Sequence, residues 1–126
     1  MSLLSTMFGN VSEISPAKAS QDYAAFLLPG EEIAKAYTLV RDTLVLTNFR
    51  ILTLDKQGFT GTKAAVTTIP YRSVDRITKE SAGVFDLEAE LYLWIKGTAE
   101  PMKWSFSKGV NVNEAYNHIC LYMLAK

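Results

Sequence analysis

A strict alternation of side-chain types over residues 87–96 constrains the fold of this chain more than any other feature. One set of positions is apolar: Leu87, Ala89, Leu91, Leu93 and Ile95. The intervening set is charged or aromatic: Glu88, Glu90, Tyr92, Trp94 and Lys96. A period of two residues is that of a β-strand with one buried face. The same alternation returns at residues 102–106, so we expect strands that bury one side against a core.

Turn-forming residues divide the middle of the chain into about seven short segments of this kind. The predicted strands lie near residues 32–40, 43–48, 50–55, 63–69, 73–80, 87–96 and 100–106. Asn48 lies between two of them, in a stretch from Thr47 to Arg50 that is typical of a tight hairpin turn. Short strands at this spacing predict a mainly β fold, an antiparallel barrel or sandwich.

A short helix is predicted before the strands. Ser15 can cap it, and Pro16 is well tolerated at the first helical position. The helical pattern continues to Leu28, and Pro29 with the following glycine would end it. The apolar side of this helix is predicted to carry Tyr23, Phe26 and Leu27.

A second helix is predicted after the strands. Asn111 is a suitable capping residue, and Glu114 follows three positions later, which is the spacing of a capping box. An apolar stripe at helical spacing contains Val112, Tyr116, Ile119 and Met123. We expect this helix to cover the open end of the β-structure.

Composition bounds the organisation of the chain and its function. The 126 residues are predicted to form one domain, with an N-terminal extension and helix at 1–30, strands at 31–107 and a helix at 110–125. Thirteen basic and thirteen acidic side chains cancel, whereas a general nucleic-acid binder needs an excess of cations. The single cysteine, Cys120, is typical of a reducing compartment, and no apolar run approaches the roughly 20 residues that span a bilayer. We therefore expect a cytoplasmic protein with no nucleic-acid partner.

Three ordered motifs resemble those of the bacterial pleckstrin-homology family. They are RDTLVLTNFRIL at residues 41–52 followed by Asp55, Gln57-Gly58 and Gly61; IPY at residues 69–71 with Val74; and Glu80, Ala82-Gly83, Phe85-Asp86, Glu90-Leu91 and Trp94-Ile95. The resemblance spans Glu31 to Leu124. It implies a pleckstrin-homology (PH) barrel of about seven antiparallel strands with a C-terminal helix. It also implies assembly into ring-like homo-oligomers and no enzymatic activity.

Basic residues near the first predicted hairpin bear on lipid binding. Eukaryotic PH domains that hold phosphoinositides carry several cations around this loop, because the headgroup carries several phosphates. Here Lys35 is followed by Arg41 and Asp42, so that a second cation is missing and a carboxylate lies beside the arginine. This departure argues against a specific phosphoinositide site. The weaker ligand candidates are Arg41, Arg50, Arg72 and Lys79.

The polar residues of the hairpin allow two interpretations. Thr47, Asn48 and Arg50 could form a small recognition site, or they could stabilise the hairpin, with Arg50 bonding a carboxylate or the backbone. We favour the second interpretation.

No pattern of catalytic or metal-binding residues is recognised. Glu88 and Glu90 are explained by strand alternation. His118 and Cys120 lie two positions apart on a predicted helix, so they point to different sides and cannot share a metal ion. We expect Cys120 to be buried and His118 to lie at a solvated edge, and we predict no catalytic residue, cofactor or metal ion.

Tyr92 and Trp94 are the strongest interface candidates, because alternation places both away from the core. Either a second subunit or the N-terminal helix could cover them, and Tyr23 and Phe26 on that helix are further interface candidates. We expect a non-enzymatic, self-associating interaction or scaffold module, which could also contact another protein.

One alternative function is lipid-headgroup binding at a membrane surface, although the neutral chain argues against a membrane partner. It would need Lys56, Lys63, Arg72, Arg76 and Lys79 to converge. The other is peptide binding at a sheet edge.

Overall fold

The structure is a computed structural model, and it describes residues 12–39, 42–57, 63–81, 88–107 and 109–125. Within these ranges it contains eight strands and two α-helices. The strands are β1 (Ser12–Ile14), β2 (Ile33–Thr38), β3 (Asp42–Thr47), β4 (Arg50–Gln57), β5 (Lys63–Pro70), β6 (Val74–Ser81), β7 (Glu88–Ile95) and β8 (Met102–Ser107). The helices are α1 (Pro16–Asp22) and α2 (Val112–Leu124), with 3₁₀ turns at Ala24–Phe26 and Tyr71–Ser73. The seven predicted strands are confirmed as β2 to β8, and only the three-residue β1 has no counterpart among them.

The chain divides into two compact units, Met1–Ile69 and Pro70–Lys126. The first unit contains a sheet with the order β1-β2-β3-β4-β5, and the second contains a sheet with the order β6-β7-β8. Within each sheet, strands that follow one another in the chain are therefore neighbours. The prediction of a mainly β, antiparallel fold with a C-terminal helix is confirmed, and the single domain predicted for residues 1–126 stays a prediction.

Helix α1 packs on the sheet of its own unit. Ala19 is fully buried there, and its small side chain lets the helix approach β2 closely. The buried cluster beneath the helix is formed by Ala19, Ile33, Ala36, Val45 and Leu52, with Ile14, Tyr23, Leu27 and Leu54 packed around it. The apolar side of the N-terminal helix is thus occupied within its own chain.

The predicted start of α1 is confirmed, and its predicted end is wrong. Ser15 Oγ accepts a hydrogen bond of 3.2 Å from the Lys18 N–H, which caps the helix. The α-helix ends at Asp22 instead of Leu28. Beyond it, the Phe26 carbonyl accepts a hydrogen bond of 2.6 Å from Arg50 Nη2, so this last turn is held by a side chain from β4. Phe26 is 40% exposed, so its predicted place on the packed side is also wrong.

Helix α2 begins as predicted, with Asn111 Oδ1 accepting a hydrogen bond of 3.1 Å from the Asn113 N–H. It packs against β6 and β7. Its buried residues are Val112, Ala115 and Ile119. The predicted stripe is therefore displaced toward Ala115, because Tyr116 lies only half-buried at the margin of the contact.

Candidate functional site

The second sheet has one buried face and one exposed face. Leu91 and Leu93 are completely buried, whereas Tyr92 and Trp94 between them are half-exposed on the other side of β7. We name that side the outer face, and its described residues are Arg76, Thr78 and Glu80 on β6, Glu90, Tyr92 and Trp94 on β7, and Lys103, Ser105 and Ser107 on β8. The alternation read from the sequence therefore places both aromatic residues away from the buried face of this sheet.

Two cations lie over the two aromatic rings of the outer face. The Arg76 guanidinium carbon is 4.1 Å from the centroid of the Trp94 ring, and Lys103 Nζ is 5.9 Å from that of Tyr92. The two ring centroids are 6.3 Å apart. The register explains these contacts, because Arg76 pairs with Trp94 and Lys103 pairs with Tyr92 across adjacent strands. Cation–π contacts of this kind hold large side chains in place.

Glu90 anchors one end of this arrangement. Lys103 Nζ lies 2.7 Å from Glu90 Oε2, and the Tyr92 hydroxyl donates a hydrogen bond of 3.2 Å to Glu90 Oε1. The hydrogen bond from Lys103 lowers the pKa of Glu90, and the same contact raises the pKa of Lys103. Partial burial and the bond to Glu90 raise the pKa of Tyr92. At neutral pH these groups form an ion pair with a neutral phenol bonded to it.

The other two predicted interface residues differ from each other. Tyr23 packs against the buried cluster of the first unit, so its side chain is used within the chain. Phe26 is exposed, as are Leu28 and Phe49 at 50% and 46%. The reasoning from sequence missed Leu28 and Phe49, and the only available signal was a large apolar residue in a turn segment.

Arg50 is held by a buried carboxylate. Its Nε lies 2.8 Å from Glu31 Oε2, and its Nη2 lies 2.8 Å from Glu31 Oε1, which makes a bidentate pair. Thr47 Oγ1 donates a hydrogen bond of 2.7 Å and the Leu28 N–H one of 2.9 Å to the same carboxylate. Arg50 Nη1 also donates to Thr68 Oγ1 at 2.9 Å. These contacts show that Arg50 stabilises the hairpin, which is the interpretation favoured from the sequence. The role of Arg50 in binding a ligand stays a prediction.

The surroundings of Glu31 determine its protonation. Burial raises the pKa of this carboxyl, but the hydrogen bonds from Arg50, the Leu28 N–H and Thr47 outweigh it and lower the pKa from 4.5 to about 2. Glu31 was not singled out in the sequence. It lies 19 residues from Arg50, and no local pattern connects the two.

Asn48 joins the β3–β4 turn to the segment before β2. Its Oδ1 accepts a hydrogen bond of 2.7 Å from the Glu32 N–H, and its Nδ2 donates one of 3.1 Å to the Gly30 carbonyl. Its own backbone N–H donates to the Glu32 carbonyl at 3.0 Å. Every polar group of the side chain is thus used to hold the turn.

Two of the described cations that could form a lipid-binding patch lie on opposite faces of β6. Arg76 lies on the outer face of β6, whereas Lys79 donates a hydrogen bond to Asn113 on α2 and lies 5.7 Å from the Tyr116 ring. Arg72 is exposed in the 3₁₀ turn. Three further predicted positions fall outside the described residues or side chains: Arg41, Lys56 and Lys63.

His118 and Cys120 lie in different surroundings on α2. His118 Nε2 and the Tyr71 hydroxyl are 2.9 Å apart, and the His118 ring centroid is 4.7 Å from that of Tyr122. His118 is therefore half-buried beside Tyr71 and Tyr122, whose stacked rings have centroids 4.8 Å apart, and its place at a solvated edge stays a prediction. The expected burial of Cys120 is wrong, because Ile119 takes the fully buried position and Cys120 is half-buried beside it. Contact with Cys120 raises the pKa of Tyr116.

Metal-binding and membrane-spanning features can be assessed for the described parts of the chain. In those parts, no three His, Cys, Asp or Glu side chains are grouped as metal ligands would be. None of the helices found there is long and apolar enough to cross a membrane. Asp86 of the third family motif and the side chain of Glu88 lie outside the described set.

Comparison with known proteins identifies the class. Residues 2–123 match the family model of the bacterial PH domain, and the chain therefore belongs to that family. It is 35% identical to a DUF1696 family protein with a pleckstrin-homology domain from Shewanella loihica PV-4, with a TM-score of 0.81 over 92% of this chain and 99% of that one. It is 37% identical to a pleckstrin homology domain from Shewanella amazonensis SB2B, with a TM-score of 0.74 over 88% of this chain and 100% of that one.

The chain is also similar to a protein of Bacillus subtilis. The chain is 43% identical over 101 residues to the uncharacterized protein YjqA of Bacillus subtilis strain 168, which covers 80% of this chain and 81% of the relative. These relatives establish a PH-like fold, and the resemblance seen in the sequence motifs is confirmed.

Proposed function

We propose that this protein is a non-enzymatic interaction module that associates with further copies of itself through the outer face of its second sheet. The observation that carries the proposal is the arrangement of Tyr92 and Trp94, half-exposed and held side by side between Arg76 and Lys103. Tyrosine, tryptophan and arginine are the residue types most enriched where protein surfaces meet.

The restricted mobility of these side chains favours binding. Association is opposed by the entropy lost when mobile side chains are immobilised. Here the cation–π contacts and the bond from Tyr92 to Glu90 already restrict the rings before any partner arrives. A partner that covers the outer face therefore has less side-chain entropy to overcome than it would on a surface of free lysines.

The charge balance supports a partner of the same kind. The formal net charge of the chain is zero, so copies do not repel one another at long range. The single cysteine favours a reducing, cytoplasmic setting, in which association depends on side-chain contacts without disulfide bonds. Ring-like assembly, implied by the family resemblance, is part of this proposal.

The test is the mass in solution, measured by size-exclusion chromatography with light scattering over a range of concentrations. We expect a stable multiple of 14.0 kDa for the wild type and a lower mass for the Tyr92→Ser/Trp94→Ser variant. A matched control replaces two exposed leucines of α2, Leu121→Ser/Leu124→Ser, and should keep the wild-type mass. Circular dichroism confirms that each variant is folded. A monomeric wild type, or an unchanged mass in the aromatic variant, would refute the proposal.

A further inference from the structure

We infer that Glu90 is the positioning residue of the outer face: it joins Tyr92 and Lys103 into one neutral group that a partner can cover, and association is weak without it. The inference rests on the proposed self-association, and it names the residue on which that contact depends. It is carried by the contacts that converge on the two oxygens of the Glu90 carboxylate.

The Glu90 carboxylate receives contacts from two strands. Lys103 Nζ on β8 lies 2.7 Å from Oε2, and Ser105 Oγ on the same strand donates a hydrogen bond of 3.5 Å to that oxygen. The Tyr92 hydroxyl, two positions along β7, donates one of 3.2 Å to Oε1. The carboxylate therefore links the lysine of one strand to the phenol of the next.

Glu90, Tyr92 and Lys103 form a closed triangle of contacts. Lys103 Nζ lies 5.9 Å from the centroid of the Tyr92 ring, so each of the three side chains contacts the other two. A closed set of contacts restricts the rotamers of all its members at once. The lysine and the tyrosine are thus ordered before a partner arrives, and less side-chain entropy is lost when the face is covered.

Glu90 also neutralises a charge that would oppose burial. The side chain of Glu90 is 29% exposed and that of Lys103 is 52% exposed, so both lose water when the outer face is covered. Covering a paired charge is much less costly than covering a single charge that has no partner. Without Glu90, a partner would have to cover the Lys103 ammonium group alone. This requirement holds for any arrangement of copies that covers the outer face.

Glu80 provides a comparison within the same face. It lies directly opposite Glu90 in the pairing of β6 with β7, and it is exposed. In the part of the chain that the structure describes, Glu80 belongs to no ion pair. The two glutamates share a face and a charge, and only Glu90 binds Lys103 and Tyr92. Replacing Glu80 therefore removes a charge alone, whereas replacing Glu90 removes the triangle.

Neutral substitutions test the role of Glu90 without removing the aromatic residues. We expect Glu90→Gln to raise the apparent dissociation constant about tenfold or more, because it leaves Lys103 unpaired. The double variant Glu90→Gln/Lys103→Gln has no unpaired charge and should return to within about threefold of the wild type. The control Glu80→Gln should change the constant by less than about threefold, since an exposed charge outside an ion pair contributes little. Sedimentation velocity over a dilution series measures the four constants, and circular dichroism confirms that each variant is folded.

Chemical labelling tests the triangle in the free chain. Acetic anhydride modifies the unprotonated, accessible amine of a lysine, and mass spectrometry measures the extent at each position. At a concentration at which copies are separate, Lys103 should be modified less than the exposed Lys96. The contact with Glu90 raises the pKa of Lys103, so Glu90→Gln should increase labelling of Lys103 and leave that of Lys96 unchanged.

The outcomes separate this inference from the proposed function. Suppose that the wild type associates and the Tyr92→Ser/Trp94→Ser variant dissociates. If Glu90→Gln then associates as tightly as the wild type, or the double variant does not recover, the proposed function stands and the role of Glu90 is overturned. Equal labelling of Lys103 in the wild type and in Glu90→Gln overturns that role as well. A monomeric wild type overturns both.

Discussion

At the scale of single residues, Glu31 and Arg50 have the most consequence for stability. Glu31 is only 7% exposed, and it keeps its charge because Arg50 binds it with two nitrogens while Thr47 and the Leu28 N–H also donate to it. Removing one member of such a group leaves the other buried and unpaired, which is more costly than losing an exposed ion pair.

The depressed pKa of Glu31 predicts sensitivity to acid. In the unfolded chain this carboxyl has a pKa of 4.5, and in the folded protein it is about 2. Acid therefore protonates the unfolded chain first, and stability present above pH 4.5 is lost as the pH falls toward 2. The difference corresponds to about 3 kcal/mol of unfolding free energy at pH 7. Denaturant unfolding of the wild type from pH 7 to pH 2.5 should show this loss.

The Glu31→Gln variant should be about 3 kcal/mol less stable at pH 7 and should lack this part of the pH dependence. Glu32→Gln is the control, because Glu32 is exposed and its described hydrogen bonds come from the backbone. Equal loss of stability in the two variants would contradict the assignment of acid sensitivity to Glu31.

The sequence predicted one partner of this pair and not the other. Arg50 was expected to bond a carboxylate or the backbone, and it does both. Glu31 could not be named, because the pairing of β2 with β3 decides which distant residue reaches Arg50. The interface candidates Tyr92 and Trp94 were predictable in the direction of their side chains, since a strand period of two requires only local sequence.

At the scale of elements, the helices show which features local sequence patterns predict and which they do not. The start of α1 follows from Ser15 and Pro16, whose capping effects depend only on neighbouring residues. Its end does not, because Arg50 on β4 binds the Phe26 carbonyl. In α2, Ala115 is buried and Tyr116 is not, since a small residue allows the helix to lie close to β6 and β7. Contacts with distant residues thus determine the end of α1 and the buried face of α2.

Helix α2 offers a direct comparison of a buried and an exposed residue. Ile119 is completely buried, and Leu121, two positions further on, is 68% exposed. Ile119→Ala should lower the unfolding free energy by about 2–5 kcal/mol, because it removes buried methyl groups and leaves a cavity. Leu121→Ala should change it by less than about 0.5 kcal/mol. Urea unfolding of the two variants measures the difference, and similar values would show that α2 does not pack as described.

At the scale of the whole molecule, the fold was far more predictable than its use. The strand pattern, the element order and the motifs from Arg41 onward all pointed to a PH-like fold, which the family match and the structural relatives confirm. The proposed function depends instead on which surface a partner covers, and a partner leaves no periodic signal in a sequence. The position of Arg76 over Trp94, on which the proposed surface depends, follows only from the register of β6 and β7.

Binding to membrane surfaces can be predicted from the distribution of charge. The chain is formally neutral, and the described cations Arg76 and Lys79 lie on opposite faces of β6. We therefore expect no co-sedimentation with vesicles containing anionic lipids at physiological salt, since such binding needs several cations near one surface. Vesicles of phosphatidylcholine alone provide the background. Pelleting that requires anionic lipid and is lost in Arg76→Glu or Lys79→Glu would contradict this expectation.

The order of strands in the two sheets also bears on how quickly the protein reaches its native state. Each sheet joins strands that follow one another in the chain, and apart from β1 and β2, which are separated by α1, these strands can pair by closing short loops. An isolated hairpin forms in about 1–10 µs, whereas pairings between distant segments must wait for larger loops to close. Each sheet can therefore nucleate at a turn, such as the one stabilised by Asn48, and grow outward from it. A chain arranged in this way can pair the edges of its strands early in folding, and paired edges are not open to strands of other chains.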